Sequence, residues 1–463
     1  MMKKALDGNP ALDRAAMQNS VERPQCLSTP IAQEAVDALR CHVVTPYLRH
    51  CIDEEHGGFL VDFDERWRPC GPHDKSLEHA ARTTLCFVIL DRLLPGEGCD
   101  RLARHGFSFL TDAMWDRQHG GFFALVDRTG RPLWEGLKHP HGITYVARAF
   151  RLGGAIVPNA DLWANRALDW LDTVAWDEND AGYWGCYRRD LARYRDRPLP
   201  TRDGKDPLAR LPNLKEINTQ GDAIATLSAF VSSGAEGRCL ERLDTLVRLV
   251  TERLIDPSGA MPFTFRRDWH PVAGLVWIGH QFQMARALAQ AKCSPDLKRQ
   301  ALARSRELTD FCLSLARHGE GGFRFAVNAD GCTWLEEGAP SHRSWWVQLE
   351  AVHALHVLSH HDAVDPEARA RYLGARDEQW TFVREHLLDT QHGGVHEFPK
   401  GAIARPARRR FLRRLPVPSA SGQKSHRWKD PFHEVELLTA LAFDQSEAVG
   451  AHNEIRFSER GTV

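Results

Sequence analysis

Apolar positions recur with helical spacing over 80–94, 143–152, 223–232, 239–254, 281–291, 345–359 and 435–443. Between these segments a glycine-centred turn returns six times. It reads His56-Gly57-Gly58-Phe59, His119-Gly120-Gly121-Phe122, Ala181-Gly182-Tyr183-Trp184, Pro257-Ser258-Gly259-Ala260, Glu320-Gly321-Gly322-Phe323 and His392-Gly393-Gly394-Val395. An aspartate usually precedes the turn by a few positions (Asp53, Asp116, Asp177, Asp256, Asp389), and a short alternating stretch with a second turn follows it, as in a small β-hairpin. Roughly 60 to 80 residues separate the turns, room for two helices and a loop. Six such units predict an all-α chain folded as an (α/α)6 barrel of six helical hairpins, with short β-hairpins in the loops. An open solenoid of helical pairs is the other architecture this periodicity allows.

Composition narrows the picture. The chain has 463 residues, 43% of them apolar, enough to fill one large core. Residues 1–28 are polar and read as a loose tail, residues 29–446 as a single barrel, and residues 447–463 as a second tail. The net charge of −1 supplies no field for nucleic acid or an anionic membrane. No run of apolar residues reaches the length of a membrane span. The eleven cysteines are scattered without a CxxC pair, which suggests reduced thiols and a cytoplasmic protein. Fourteen tryptophans shift the expectation toward a sugar ligand, because indole faces stack on sugar rings. Two charged stretches, 188–205 and the arginine-rich 400–414, read as rim loops of a pocket.

Chemistry-bearing residues gather at the predicted helix starts. Trp428-Lys429-Asp430-Pro431-Phe432-His433 leads into the last apolar helix, and Pro431 suits a helix start, which puts His433 in the first turn beside aromatic walls. Trp428 would line a sugar site and Lys429 would face a developing oxyanion. Gly279-His280-Gln281-Phe282-Gln283 opens another helix, with a histidine where a helix N-terminus disfavours its protonated form. Trp346 and Glu350 lie four residues apart and share a helix face. Asn218, Gln220 and Asp222 precede an apolar helix; Thr219 or Asp222 could be only its N-cap. Arg82 could polarise a carbonyl oxygen. His139-Pro140-His141 has a metal-like spacing but lacks a third ligand at a set distance.

Four of these segments together resemble the N-acylglucosamine 2-epimerase superfamily, which includes cellobiose 2-epimerases, mannose isomerases and sulfoquinovose isomerases. They are Gly279-His280, Trp345–Glu350 read as Trp-Trp-x-Gln-x-Glu, Trp428–His433, and the Asn218-Thr219 pair; Arg82 matches an arginine on the first inner helix. The likeness runs from about Glu34 to Phe443. It implies an (α/α)6 barrel, an acid–base pair at His280 and His433, and a contact from Arg82 to the O1/O2 region of a reducing sugar. This chain departs from the pattern where the resemblance leads one to expect a histidine (Asp222), glutamates (Ala225 and Gln283) and a tyrosine (His139).

The expected reaction is aldose–ketose isomerisation or 2-epimerisation of a mannose-like hexose or N-acylhexosamine through an enediolate. It needs a base near neutrality and a partner for the oxyanion, and calls for no metal or nicotinamide cofactor. The chain has no Walker-type loop and no dinucleotide-binding glycine pattern. A glycoside hydrolase or lyase using Asp222 and Glu350, or a non-catalytic sugar-binding relative, are the alternatives. The expected partner is a small sugar, and the expected assembly a monomer or homodimer.

Overall fold

The computed structural model describes residues 29–193, 213–272, 275–328, 343–399 and 422–443. The two predicted tails, the basic loop 400–414 and the 194–205 part of the other rim loop lie outside them. Among the described residues twelve α-helices follow in order: α1 (Pro30–Ala38), α2 (Leu77–Leu93), α3 (Cys99–Phe109), α4 (Pro140–Leu152), α5 (Ala160–Trp170) and α6 (Ile217–Ser232). Then come α7 (Arg238–Leu249), α8 (Ile278–Ala289), α9 (Pro295–Leu315), α10 (Trp345–His360), α11 (Pro366–His386) and α12 (Phe432–Ala442).

The even-numbered helices pack side by side in sequence, and α12 returns to α2, so they close a ring. Helices α3, α5, α7, α9 and α11 each pack behind the inner helix that precedes them, while α1 packs behind α12. This is the (α/α)6 barrel, and the closed ring excludes the solenoid. The sixth hairpin is built from the two ends of the chain. Inner α10 is buried on nearly every side, whereas outer α3 and α7 bury one stripe and expose the rest, as an inner and an outer layer require.

Five of the six inner helices begin at least three residues before the apolar pattern does. The largest difference is at α6. Asn218, Thr219, Gln220 and Asp222 are buried inside the helix rather than capping it, and Glu216 is the N-cap residue. Polar side chains that point to the barrel axis hide the first turn from any hydrophobic periodicity.

Each outer helix, in four cases continued by a few π-helical residues, is followed by the glycine turn that leads back to the inner ring. At Gly120 and Gly121 φ is +68° and +73°, and a Cβ on Gly121 would run into the Trp170 indole. Lysines two residues before the inner helices clamp these turns. Lys75 pairs with Asp53 at 2.9 Å, Lys138 with Asp116 at 3.0 Å and Lys215 with Asp177 at 3.0 Å. Each ammonium also donates to a turn carbonyl, of Gly57, Gly120 and Ala181 respectively. Arg343 takes the same place before α10, paired with Glu320 at 3.2 Å.

The strands are two or three residues long. β1 (Lys75–Ser76) pairs antiparallel with β2 (Leu125–Val126), β3 (Lys215–Glu216) with β4 (Thr264–Phe265), and β5 (Leu275–Trp277) with β6 (Ala326–Asn328). They join one repeat to the next. The hairpins read from the sequence survive as tight turns with single bridges, such as Phe63 with Pro69 and Val126 with Pro132. The nine cysteines among the described residues are free thiols, and no described helix is long and apolar enough to cross a membrane.

Candidate active site

The inner helices share a register. Their second residues are Glu78, His141, Asn218, Gly279, Trp346 and His433, and their sixth residues include Arg82, Tyr145, Asp222, Gln283 and Glu350. Positions four apart stack on one face, so the barrel mouth carries two layers of side chains one helical turn apart.

His433 is 7% exposed and held on both ring nitrogens. Its Nδ1 lies 2.7 Å from Glu350 Oε1 and its Nε2 lies 2.7 Å from Arg82 Nη2. A carboxylate only accepts and a guanidinium only donates, so Nδ1 carries the hydrogen and Nε2 the lone pair. Burial acts to raise the Glu350 carboxyl, but the Arg286 charge and the hydrogen bond from His433 outweigh it and hold Glu350 well below the carboxylate range. Arg82 is 5% exposed, with its Nη1 3.3 Å from Asp430 Oδ2. Its guanidinium lies over the rings of Phe432 and Tyr145, 4.5 and 5.1 Å from their centroids.

His280 is half-buried and lies between aromatic faces. Phe263 stacks on it at 5.0 Å with an interplanar angle of 17°, Trp277 at 5.8 Å and 19°, and Trp346 tilts against it at 4.9 Å. The same indole is 5.6 Å from the His433 ring, so both imidazoles pack against one tryptophan. Gly279 makes this possible, because a Cβ there would overlap the Trp346 indole. His280 Nδ1 lies 2.9 Å from Gln283 Oε1, and Gln283 Nε2 donates to Asp222 Oδ1 at 3.0 Å.

Asp222 Oδ2 is 2.8 Å from His141 Nε2, and His141 Nδ1 is 3.4 Å from Glu78. Burial would raise the Asp222 carboxyl, but the hydrogen bond and charge of His141, followed by the charge of Arg82, bring it below the usual range. Arg286 bridges Glu350, at 3.4 Å, and Glu436, at 3.0 Å, beneath the mouth.

The other expected residues are held as follows. Lys429 Nζ donates to the carbonyls of Val395, at 2.6 Å, and Gln423, at 2.7 Å, and sits over Trp345; its ammonium ties the last loop together rather than facing Arg82 and His433. Burial brings its pKa down to about 8. Trp428 packs against Ala124 and Leu125. The Asn218 side chain accepts from the Thr219 amide at 2.8 Å. His139 precedes α4 and is fully buried, 3.6 Å from Glu78, so the axial place on α4 belongs to His141. Among the described residues no group of three or more His, Cys, Asp or Glu side chains is placed to hold a metal.

Glu78, Tyr145, Phe263, Trp277 and Arg286 escaped the sequence reading, which met His141 only as half of an HxH pair and Asp430 only within the Trp428–His433 run. Counting second and sixth positions from each helix start would have found Glu78, His141 and Tyr145, had the starts been visible.

Six inner helices that gather imidazoles, carboxylates, a guanidinium and indoles at one mouth define a carbohydrate-active (α/α)6 barrel. The chain belongs to the N-acylglucosamine 2-epimerase family, whose model matches residues 57–196 and 222–400. It is 23% identical over 386 residues to a cellobiose 2-epimerase of Bacteroides fragilis, which covers 78% of this chain and 89% of that one. Its fold superposes on a D-mannose isomerase with a TM-score of 0.70 at 19% identity, covering 89% of this chain and 97% of the other. An unsaturated glucuronyl hydrolase from Bacillus sp. GL1 is more distant, with a TM-score of 0.57 at 12% identity, covering 89% and 96%.

Proposed function

We propose that the chain interconverts sugars at C1 and C2 of a reducing aldose, with His433 and His280 as acid and base and Arg82 as the partner of the enediolate oxygen. The observation that carries this reading is the paired tautomer. Each imidazole packs against Trp346, and each has Nδ1 against a side-chain oxygen, Glu350 for His433 and Gln283 for His280. That leaves Nε2 as the basic nitrogen of both rings.

In the open-chain sugar one Nε2 takes the C2 proton while O1 gains a proton, giving an enediol. Returning a proton to C1 with loss of the O2 proton yields the ketose. Delivery of a proton to the opposite face of C2 by the second histidine in its imidazolium form, with loss of the O1 proton, yields the epimer. Arg82 donates to the Nε2 of His433 in this structure. A sugar oxygen arriving there would take over a guanidinium donor and release the lone pair. The base and the buried guanidinium supply both requirements of the chemistry. A mannose-like hexose is the favoured substrate, in keeping with the indole beside both imidazoles and with the likeness to a D-mannose isomerase fold.

The hydrolase reading needs one carboxyl protonated at working pH. Glu350 and Asp222 are both held below their ordinary values, the opposite of what a general acid requires. Incubation with mannose, fructose, glucose or N-acetylmannosamine in D2O, followed by proton NMR, tests the proposal. Deuterium should enter C1 or C2 of at least one sugar, and His433→Ala should slow that exchange by about 10²- to 10⁴-fold. No exchange into any of the four would sink it, and reducing sugar released from an oligosaccharide and lost in Asp222→Asn would favour the hydrolase.

A further inference from the structure

We infer that Asp222 is a positioning residue that sets the tautomer of His280 through Gln283. The inference rests on the proposed role of His280 for its catalytic meaning, but its structural core is a chain of hydrogen bonds across three inner helices.

The chain runs from α4 through α6 to α8: His141 Nε2 to Asp222 Oδ2 at 2.8 Å, Asp222 Oδ1 to Gln283 Nε2 at 3.0 Å, and Gln283 Oε1 to His280 Nδ1 at 2.9 Å. An ionised carboxylate can only accept, so the Gln283 side chain must turn its NH2 group toward Asp222. Its amide oxygen then faces His280, and an amide oxygen also only accepts. The hydrogen of the imidazole is thereby assigned to Nδ1 and its lone pair to Nε2. Flipping Gln283 would set its oxygen against the carboxylate, acceptor to acceptor, in a place where both side chains are buried.

Asp222 is itself secured in the accepting state. His141 and Tyr145 face it from α4, and the Arg82 charge acts on it from α2. Arg286 of α8 is a further cation near it. Phe263 and Trp277 fix the plane of the imidazole, so Gln283 has only the tautomer left to determine. A neutral amide between the two orients the base without placing a negative charge on its ring. A glutamate at 283 would instead set a second carboxylate against Asp222.

The experiment uses full-length protein labelled with 15N-histidine. Long-range proton–nitrogen correlation reads the tautomer of His280, and deuterium exchange into the sugar reads turnover. Wild type should show His280 with hydrogen on Nδ1. In Asp222→Asn the new amide offers both a donor and an acceptor, so Gln283 turns freely and the Nε2–H form should appear. kcat for exchange should fall on the order of 10- to 100-fold while KM changes little. Gln283→Leu cuts the same link and leaves Asp222 with His141, so the reading does not depend on Asp222→Asn folding. It should shift the tautomer in the same direction, and adding Asp222→Asn to it should cost nothing more. Retention of the Nδ1–H form in both variants, or a second full loss in the double variant, would overturn the inference. If His280→Ala keeps wild-type exchange, the acid–base role of His280 falls instead, and the spectra alone decide the tautomer.

Discussion

His433 draws its definition from neighbours far away in sequence. Glu350 lies 83 residues before it and Arg82 lies 351 residues before it, yet each is 2.7 Å from one of its nitrogens. Sequence could show Trp346 and Glu350 sharing a face of one helix; it could not show that they reach His433 and His280. Two residue-scale predictions follow from these contacts. Glu350→Gln keeps the shape but loses the acceptor-only character and the charge. Exchange should drop about 10-fold or more with KM little changed, measured by the same D2O assay. Gly279→Ala forces the Trp346 indole off the start of α8. It should cost about 1–3 kcal/mol in denaturant unfolding, and lower exchange because the indole packed against both histidines is displaced. A fully active, equally stable Gly279→Ala would contradict the close packing of indole on backbone.

At the scale of the element, the lysines before the inner helices explain why the turns are built alike. The sequence displayed the aspartates and glycines because they are close together; the partner lysines stand in the next unit, beyond an outer loop, and carry no local signal. Removing one partner of a buried pair is costlier than never having built it, since the other charge stays behind without compensation. Lys138→Met leaves Asp116 with only its hydrogen bonds from Arg189 and nearby backbone amides. We expect a loss of roughly 3 kcal/mol in urea unfolding, whereas Arg189→Met on the exposed side should cost less than about 1 kcal/mol. Equal effects would mean the buried lysine is no clamp. Helix starts belong to this scale too. Except at α10, the apolar pattern was legible from the second turn onward and blind to the first, where site residues face the axis.

For the whole molecule, closure depends on α1 and α12, which come from opposite ends of the described chain and form the last hairpin. The repeated clamps also couple the ring to pH. Burial opposes ionisation at the turn aspartates, but the lysine and arginine partners prevail: Asp116 is brought down to about 2, and Asp53 and Asp389 lower still. Depressed carboxyls contribute stability that is complete above the unfolded value near 4 and is lost as pH falls through the folded values. Thermal unfolding followed by circular dichroism should therefore show little change between pH 7 and 5 and a steep fall below about pH 4. In Asp116→Asn that fall should be smaller by on the order of 1–2 kcal/mol. An unchanged acid profile in the variant would remove Asp116 from the account.

The sequence by itself determined the number of repeats, the helical class, the glycine turns and the family motifs that single out His280, His433 and Arg82. All of these are written in short-range patterns, in the 3.6-residue period and in residues close along the chain. Only the tertiary structure decided which imidazole faces the axis on α4, that Lys429 ties down a loop, and that Asp222 reaches His280 through Gln283. Those outcomes depend on side chains from different inner helices meeting at one mouth. Ring closure creates that meeting, and no local pattern in the chain encodes it.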